Sequence, residues 1–541
     1  MLIISGLLFA WLLCLVRAVN SLSAPPVVDL GYAQYQGAIN TSLGIISFLG
    51  LRYAAAPTGK HVCSDVTVVH TENLPGNLRF QAPALPPRVE TGVQLATTNA
   101  PACFQGGLGG QSLTNPVAAR DDTDESEDCL FLSVYTPNMS PKMPLPTIVW
   151  IHGGGYATGS AGDYNGADIV QESNNNVVVV VIQYRLGLFG FLAGSQVKNE
   201  GALNAGLLDQ QFALRWVNTN IQKFGGDPSQ VTLWGESAGA GSVIQHMIAN
   251  NGKTSPPLFR AIMTSSTFLP SQYPYDSSIP QALFDDVAAQ AGCADTTNLS
   301  CLRAVDSATL ATVNSNMIAA GFAGTFTFVP VVDNTFIMQT LTTALAQGKD
   351  LSVIMQLTNI LLKASVFSVT NSNEGFIFVP QTVDFDTADY VQQLFPLLSS
   401  EQVKSVTSAY SSFGTPAERA TAIYGESIII CPTYLLLNTF PGLAYKGEMA
   451  VSPGFHGEDI LYYYPDFTAL ITAEPFDNAA FATAFSQAFV SFAANLNPNS
   501  KLRASITPQW SRWSPFAPFE MIFNQTDNKP AIAARSTSPE L

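Results

Sequence analysis

The segment from Val231 to Gly241, VTLWGESAGAG, constrains the fold more than any other part of this sequence. A short apolar run comes first, Gly235, Ser237 and Gly239 follow in a G-x-S-x-G pattern, and the next ten residues, AGSVIQHMIA, suit a helix. A strand, turn and helix of this kind hold a serine in a strained conformation at a helix N-terminus, and the two glycines remove side chains that would clash. Because the pentapeptide also occurs by chance, the rest of the chain has to supply its context.

The surrounding sequence alternates strand and helix patterns. PTIVWIHGGG and NVVVVVIQYRLG are continuous apolar runs, as expected for buried parallel strands, and LLDQQFALRWVNTNI has helical spacing. Upstream, LGIISFLGLRYA and LFLSVYTP alternate like half-buried antiparallel strands. We therefore predict an α/β fold with a large, mostly parallel central sheet flanked by helices. The sequence shows no internal repeat and no long linker, so we expect one domain over residues 25–541.

The N-terminus has the pattern of a secretory signal. Residues 1–18, MLIISGLLFAWLLCLVRA, carry an apolar run before a small-residue site, although no Lys or Arg precedes the run. The run is shorter than the ~20 residues that span a bilayer, which argues against a membrane anchor. We predict a signal peptide over residues 1–18, with residue 24 as the latest cleavage point, and a secreted, extracellular protein. Four N-x-S/T sequons are compatible with N-glycosylation on that route: Asn40, Asn138, Asn298 and Asn524.

The charge balance excludes one large class of partner. The chain has 40 acidic and 24 basic residues, hence a net charge of −16 at pH 7, which opposes binding to the phosphate backbone of nucleic acids. Neither G-x-G-x-x-G nor G-x-x-x-x-G-K-[ST] occurs, so the glycine-rich segments are not nucleotide loops of those kinds. We expect a small-molecule partner and predict neither a cofactor nor a metal.

The seven cysteines fit an oxidising compartment. Cys14 lies in the predicted signal peptide, and two pairs lie close in sequence: Cys103 with Cys129, and Cys293 with Cys301. Cys63 and Cys431 are left over. Since Cys431 lies in the apolar run IIICPTYLLL, we predict a buried free thiol there.

Further residues could complete a reactive serine site. Upstream of Ser237, the run His152-Gly153-Gly154-Gly155-Tyr156 follows an apolar strand and would expose consecutive backbone N–H groups to a developing oxyanion. Among five histidines, His456 lies in a glycine-rich loop late in the chain, SPGFHGEDI, where a general base is expected. His246 falls inside the helix that follows Ser237, and we predict a packing role for it.

The acid partner of the histidine should lie between Ser237 and His456. Glu374 stands just past an apolar run in VFSVTNSNEGF, as a carboxylate at the C-terminal end of a strand should. Asp333, in FVPVVDN, is the main competitor. The residues alone leave both open.

With these motifs, nearly all of the chain after the predicted signal resembles a type-B carboxylesterase or lipase of the α/β-hydrolase fold. The segments that carry the resemblance are Arg52-Tyr53, Ser126-Glu127-Asp128-Cys129-Leu130, HGGGY, Tyr184-Arg185-Leu186-Gly187, Asn204-Ala205-Gly206-Leu207-Leu208-Asp209-Gln210, Phe224-Gly225-Gly226-Asp227-Pro228, GESAGA, NEG and FHGED. The resemblance implies Glu374, not Asp333, as the acid. It also implies an oxyanion hole formed by the backbone of Gly154, Gly155 and Ala238.

The same resemblance implies structural links. It pairs the cysteines as disulfides, Cys103 with Cys129 and Cys293 with Cys301. It also implies two structural salt bridges, Arg52 with Glu127 and Arg185 with Asp209.

The implied function is a serine carboxylic-ester hydrolase that works through an acyl-enzyme, with Ser237 as nucleophile, His456 as base and Glu374 as its acid. A triacylglycerol or sterol-ester lipase of the same family is the alternative. A catalytically dead adhesion relative fits less well, because every element of the reactive site is present. A cholinesterase would carry a tryptophan on the loop between the first two cysteines, which binds a quaternary ammonium group by cation–π contact. The loop from Phe104 to Asp128 contains no tryptophan, so choline specificity is not expected. The same loop has few large apolar residues, which favours an esterase of soluble or small acyl esters.

Two segments depart from the family pattern: Lys60 to Gly76 (KHVCSDVTVVHTENLPG), and roughly Val353 to Lys363 (VIMQLTNILLK). We hypothesise that both are retained introns, because codons for Gly-Lys and Pro-Gly at the borders of the first can carry splice signals. Real family-specific loops are the alternative. Sequencing of cDNA distinguishes the two, and the second segment bears on the strand that leads to Glu374.

Overall fold

The structure, a computed structural model, describes residues 25–58, 77–110, 125–294, 299–347, 365–382, 385–467 and 474–537. The predicted signal peptide, both unusual insertions, Cys63 and the sequon at Asn298 lie outside the described residues. The expectations for these segments therefore stay predictions.

The described strands form one large sheet and one small sheet. In chain order they are β1 (Val27–Asp29), β2 (Gln34–Gln36), β3 (Ala38–Asn40), β4 (Ile45–Arg52), β5 (Val93–Leu95), β6 (Phe131–Thr136), β7 (Leu145–Ile151), β8 (Val178–Ile182), β9 (Gly226–Glu236), β10 (Ala261–Ser265), β11 (Val366–Asn371), β12 (Ala444–Met449), β13 (Phe519–Thr526) and β14 (Lys529–Ser536). The large sheet has eleven strands in the order β14-β13-β12-β11-β10-β9-β7-β8-β6-β4-β3, and β1, β2 and β5 form the small one. From β13 to β8 every neighbouring pair is parallel. The predicted large, mostly parallel sheet is thus confirmed.

Helices cover both faces of this sheet. They are α1 (Gly166–Glu172), α2 (Gly187–Phe191), α3 (Ser195–Glu200), α4 (Ala205–Asn220), α5 (Ala238–Gly252), α6 (Ser278–Gln290), α7 (Ser300–Ala304), α8 (Ser307–Ala319), α9 (Leu341–Gln347), α10 (Thr387–Leu394), α11 (Ser400–Ala409), α12 (Pro416–Gly425), α13 (Cys431–Thr439) and α14 (Ala479–Asn495). A π-helical turn, Glu426–Ile430, joins α12 to α13. Because crossover helices connect parallel strands, a sheet of this kind is buried on both faces.

Strand β8 shows how the sequence produces two cores. All five of its residues, VVVVI, are buried. Val178, Val180 and Ile182 belong to the apolar cluster on one face, and Val179 and Val181 to the cluster on the other. Successive side chains of a strand point to opposite faces, so a continuous valine run serves both cores at once.

The predicted antiparallel strands near the N-terminus are β4 and β6, which pair in that orientation. Strand β4 is half-buried, as expected, but five of the six residues of β6 are buried. The reason is that both faces of β6 are covered, since Leu132 and Val134 belong to one apolar cluster and Tyr135 to the other. The alternating sequence pattern therefore predicted too little burial for β6.

Disulfides join Cys103 to Cys129 and Cys293 to Cys301. The prediction of a buried thiol at Cys431 is wrong, because this cysteine is exposed. Ile428 and Ile429 in the preceding π-helical turn take the buried positions instead. An apolar run on a helix still presents one side to solvent, and Cys431 lies on that side.

One of the two implied salt bridges has different partners. Arg185 pairs with Asp209 at 2.7 Å, as implied. Arg52 pairs with Asp128, with both guanidinium–carboxylate contacts at 2.7 Å, whereas Glu127 pairs with Arg79. The buried guanidinium of Arg79 also donates to the backbone carbonyls of Leu302, Arg303 and Val305, so Glu127 anchors a distant part of the chain and is not available to Arg52.

One continuous helical stretch of the described chain, Pro416–Thr439, is long and apolar enough to cross a membrane by length and composition alone. In its most apolar window, 56% of the residues are buried inside the protein. A helix in the core of a globular protein has the same property.

Candidate active site

Ser237 lies at the sharp turn between β9 and α5. Its backbone angles, φ 54° and ψ −123°, belong to neither the strand nor the helix, and its side chain is 5% exposed. A non-glycine residue in such a conformation costs of the order of 1–3 kcal/mol and persists only where the surroundings enforce it. Here the Ser237 N–H donates to the carbonyl of Ser265 on the neighbouring strand β10, at 3.0 Å.

The two flanking glycines are required by packing. A Cβ atom on Gly235 would collide with the backbone of Gly239, and a Cβ atom on Gly239 would collide with the carbonyl of Ile151 at the end of β7. The G-x-S-x-G pattern therefore reflects the close contact of α5 with the ends of β9 and β7. This contact is what points the serine out of the turn.

The glycine run after β7 lies against the same turn. A Cβ atom on Gly153 would come within 3.0 Å of the Ser237 Cβ atom. Gly154 and Gly155 have φ angles of 93° and 62°, and among the described residues their N–H groups have no protein acceptor. The N–H of Ala238, the first residue of α5, has no intrahelical acceptor either. Within the described part of the chain, the N–H groups of Gly154, Gly155 and Ala238 are thus three backbone donors without a protein acceptor.

His456 and Glu374 are in direct contact. The imidazole Nδ1 lies 2.6 Å from Glu374 Oε2, and both side chains are buried. Glu374 follows β11, and its other oxygen, Oε1, accepts hydrogen bonds from the Ser266 hydroxyl and the Asn371 N–H, both at 2.7 Å. The ring of Phe378 packs on the His456 ring, with centroids 5.0 Å apart. The carboxylate and the imidazole are held from several sides.

The other candidate acid and two other histidines have different contacts. Asp333 accepts hydrogen bonds from Asn204 and from backbone N–H groups of Thr335 and of the two residues that follow it, so its carboxylate closes a turn. His246 contacts the amide oxygen of Gln210 at 2.9 Å. His152 stacks on Tyr184, with ring centroids 4.4 Å apart. Of the two candidate acids, only Glu374 contacts His456.

A second carboxylate, Glu236, faces the other side of the imidazole. Its Oε1 lies 3.3 Å from His456 Nε2, and its side chain is buried. Burial raises the pKa of Glu236 to about 8, against the opposing charge of His456. Burial by itself would lower the pKa of His456, but Glu236 and Glu374 outweigh it and raise this pKa to about 9. His456 and Glu236 therefore titrate as a pair, since the charged form of each stabilises the charged form of the other.

An apolar cavity of about 260 Å³ has in its wall Phe326, a residue that contacts the glycine run. Large aromatic and aliphatic side chains dominate its wall, among them Phe191, Phe268, Leu283, Phe326, Leu394 and Pro396. The Phe326 ring lies directly over Gly155, where any Cβ atom would strike it, and packs against Phe268. Phe326 therefore belongs both to the cavity wall and to the packing over Gly155.

Sequence reasoning missed the supporting polar residues of this site: Glu236, Ser265, Ser266, Asn371 and Asp459. Glu236 and Asp459 stand in the segments GESAGA and FHGED, so a signal was present in the motifs. Ser266 and Asn371 lie at the C-terminal ends of neighbouring parallel strands, and that adjacency appears only once strand order is known.

Comparisons with known proteins give matches along most of the chain. The model of the Carboxylesterase family matches residues 73–539. Lipase 4 of Diutina rugosa is 29% identical over 538 residues, which cover 91% of this chain and 90% of the relative. Carboxylesterase patB of Aspergillus clavatus is 30% identical and covers 88% and 89% of the two chains. The crystal structure of Aspergillus niger EstA superposes with a TM-score of 0.79, at 30% identity and with coverage of 95% and 96%.

The matches extend over nearly the whole chain, and the fold is that of their solved relative. The elbow at Ser237, the free donors of the glycine run and the buried imidazole all occur within the matched region. This chain therefore belongs to the carboxylesterase family, has the α/β-hydrolase fold and is a carboxylic ester hydrolase.

Proposed function

We propose that Ser237, His456 and Glu374 form the catalytic triad of this ester hydrolase. The observation that carries the proposal is the 2.6 Å contact between His456 Nδ1 and Glu374 Oε2. The Nε2 atom of the same imidazole lies 3.3 Å from Glu236, which directly precedes Ser237 and its strained turn. With its proton on Nδ1 directed to Glu374, the imidazole keeps Nε2 as the basic nitrogen. The carboxylate also stabilises the imidazolium that forms during the reaction.

Acylation begins when Ser237 Oγ attacks the ester carbonyl and His456 Nε2 takes its proton. The carbonyl oxygen becomes an oxyanion that accepts hydrogen bonds from the N–H groups of Gly154, Gly155 and Ala238. Each such donor is typically worth about 3 kcal/mol in the transition state. His456 then protonates the alcohol as it leaves, and the acid remains bound to Ser237 as an ester.

Deacylation repeats these steps with water. His456 takes a proton from a water molecule, the resulting hydroxide attacks the acyl carbonyl, and the same backbone donors stabilise the second oxyanion. Return of the proton to Ser237 Oγ releases the carboxylic acid. The chain's own residues suffice for each step.

The test compares Ser237 with Ser242, which lies on the helix that follows the turn. Ser237→Ala is expected to lower kcat for a p-nitrophenyl ester by at least about 10⁴-fold, because it removes the nucleophile. Ser242→Ala is the matched control, since Ser242 lies on α5 and its hydroxyl accepts from Gln210. Near wild-type turnover by a folded Ser237→Ala variant would refute the triad.

The apolar cavity supports a substrate with an apolar acyl or alcohol group. Its wall is mainly aromatic and aliphatic, and one wall residue, Phe326, packs over Gly155. We favour an esterase of soluble or small acyl esters over a lipase, and the likeness to Lipase 4 of Diutina rugosa keeps the lipase as the second candidate. A series of p-nitrophenyl esters of increasing chain length, measured with and without an emulsion interface, separates them. Activation by the interface would favour the lipase.

We also propose that the mature protein is a secreted glycoprotein without a membrane anchor. Two disulfides suit an oxidising compartment. Asn40 and Asn138 are exposed, whereas Asn524 is partly buried in β13, so the first two are the better glycan acceptors. N-terminal sequencing of the secreted protein and a mobility shift on deglycosylation test this proposal.

A further inference from the structure

A third buried carboxylate lies close to His456. Asp459 follows it by three residues in the 3₁₀ turn Glu458–Tyr462 and is 0% exposed. Its Oδ1 accepts a hydrogen bond from the Asn371 side-chain amide at 2.9 Å, and its Oδ2 accepts one from the Tyr463 hydroxyl at 2.8 Å. A fully buried carboxylate is costly to keep unless it is well paired, so its place beside the proposed triad calls for a physical explanation.

The amide of Asn371 connects Asp459 to the proposed triad. Its Nδ2 also donates to the hydroxyl oxygen of Ser266, at 3.2 Å. The Ser266 hydroxyl in turn donates to Glu374 Oε1 at 2.7 Å. A hydroxyl that accepts a hydrogen bond from an amide still has its single proton free, and in the described part of the chain that proton is donated to the Glu374 carboxylate.

Asp459 decides the orientation of this amide. Among the described residues, the Asn371 Oδ1 atom has no hydrogen-bond partner. If the amide were flipped, its oxygen would face the carboxylate of Asp459 and repel it, and Ser266 would have to donate to Asn371 instead of Glu374. With the amide nitrogen held by Asp459, the Ser266 hydroxyl keeps donating its hydrogen bond to Glu374.

The charge of Asp459 acts on the imidazole as well. Three buried carboxylates interact electrostatically with His456: Glu236 from the end of β9, Glu374 from the loop after β11, and Asp459 from the 3₁₀ turn. All three raise the pKa of His456. Glu458 also lies near Asp459, but its carboxylate accepts from the Gly454 N–H.

We propose that Asp459 is a positioning residue of the ester-hydrolase site, which acts through Asn371 and Ser266 to hold Glu374 and, through its charge, to favour the cationic form of His456. This inference rests on the proposed triad. The relay orders one hydroxyl proton and one amide, and no bond is made or broken in it.

The main test is Asp459→Asn, which keeps an acceptor for Asn371 and removes the charge. We expect kcat to fall about tenfold with KM unchanged, which corresponds to about 1.4 kcal/mol of transition-state stabilisation. The acid limb of the kcat/KM profile, which reports the free enzyme, should move to lower pH, because the imidazolium loses one stabilising charge. Glu458→Gln is the matched control, and its acid limb should stay in place.

A double-mutant cycle keeps the test decisive if Asp459→Asn does not fold. Asn371→Ala should lower kcat in the wild-type background but have little effect in a Ser266→Ala background, since the relay is already broken there. An unmoved acid limb and wild-type kcat in folded Asp459→Asn, or equal effects of Asn371→Ala in both backgrounds, would overturn the proposal. The Ser237→Ala experiment tests the triad independently, so failure of the relay leaves that result intact.

Discussion

His456 and His246 are both buried imidazoles, 5% and 4% exposed, yet their surroundings shift their pKa values in opposite directions. Burial lowers the pKa of His246 to about 3, and the Gln210 amide beside it carries no charge to compensate. The same burial acts on His456, but the carboxylates of Glu236 and Glu374 outweigh it and raise the pKa to about 9. His246 therefore stays neutral at physiological pH, whereas His456 readily takes a proton.

Burial alone therefore does not set the basicity of an imidazole. A histidine becomes one where carboxylates favour its charged form and where a reactive hydroxyl lies near. Both histidines are close in sequence or space to the Ser237 turn, since His246 lies on α5 itself. Only the loop of His456 brings the imidazole to the strand ends where Glu236 and Glu374 lie.

The largest expected effect comes from making His456 resemble His246 by removing its acid partner. Glu374→Gln should lower kcat roughly 10³- to 10⁴-fold, because the imidazole loses its enforced tautomer and the charge that stabilises its cation. Steady-state kinetics with a p-nitrophenyl ester measure this loss. Asp333→Asn, the same change at the other candidate acid, is the control and should keep kcat near wild type; a comparable loss there would contradict the assignment.

A smaller effect is expected from Glu236→Gln, which removes the second carboxylate but leaves the contact with Glu374. The folded pKa of His456 should fall, because the imidazolium no longer faces Glu236. Since the neutral imidazole is the active form, the acid limb of kcat/KM should move to lower pH, with kcat on the plateau changed by no more than about tenfold. A pH profile in a constant-ionic-strength buffer measures the shift. An unmoved acid limb would show that Glu236 does not affect the pKa of His456.

The smallest effect on activity is expected at His246. His246→Gln preserves a donor for Gln210 and should leave kcat near wild type. Its effect should appear in stability: because the folded pKa of His246 lies near 3, the unfolded chain binds one more proton below its own pKa of about 6.5, and stability falls as the pH drops through that window. The variant should lose less stability than wild type there, by at most about 1.4 kcal/mol per pH unit. Thermal unfolding between pH 6.5 and pH 4 checks this; equal acid sensitivity would contradict it.

The main elements of the fold and site were predictable because they follow from local patterns. The valine run of β8, the strand and helix around Ser237 and the glycine run each depend on residues that are close in sequence. Asp333 and Glu374 could not be separated by their local sequences alone, since both follow apolar runs. The family resemblance favoured Glu374, and the contact with His456 agrees with it.

The predictions that the structure contradicts concern contacts between segments far apart in the chain. Glu127 pairs with Arg79, 48 residues away, and adjacent Asp128 takes Arg52 instead. Strand β6 is more buried than its alternation predicts because its side chains pack into both apolar clusters. Cys431 is exposed because only one side of its helix packs inward. In each case the deciding partner belongs to another element.

A parallel α/β sheet with a serine at a sharp turn could be predicted from local sequence, because strand, turn and helix preferences act over a few residues. The charged groups that surround His456 depend instead on how distant segments pack. Glu236, Glu374 and Asp459 come from three elements that meet at the C-terminal edge of the sheet. The shift in the pKa of a buried imidazole depends on distances to those carboxylates and on exclusion of water, and both are set by long-range packing.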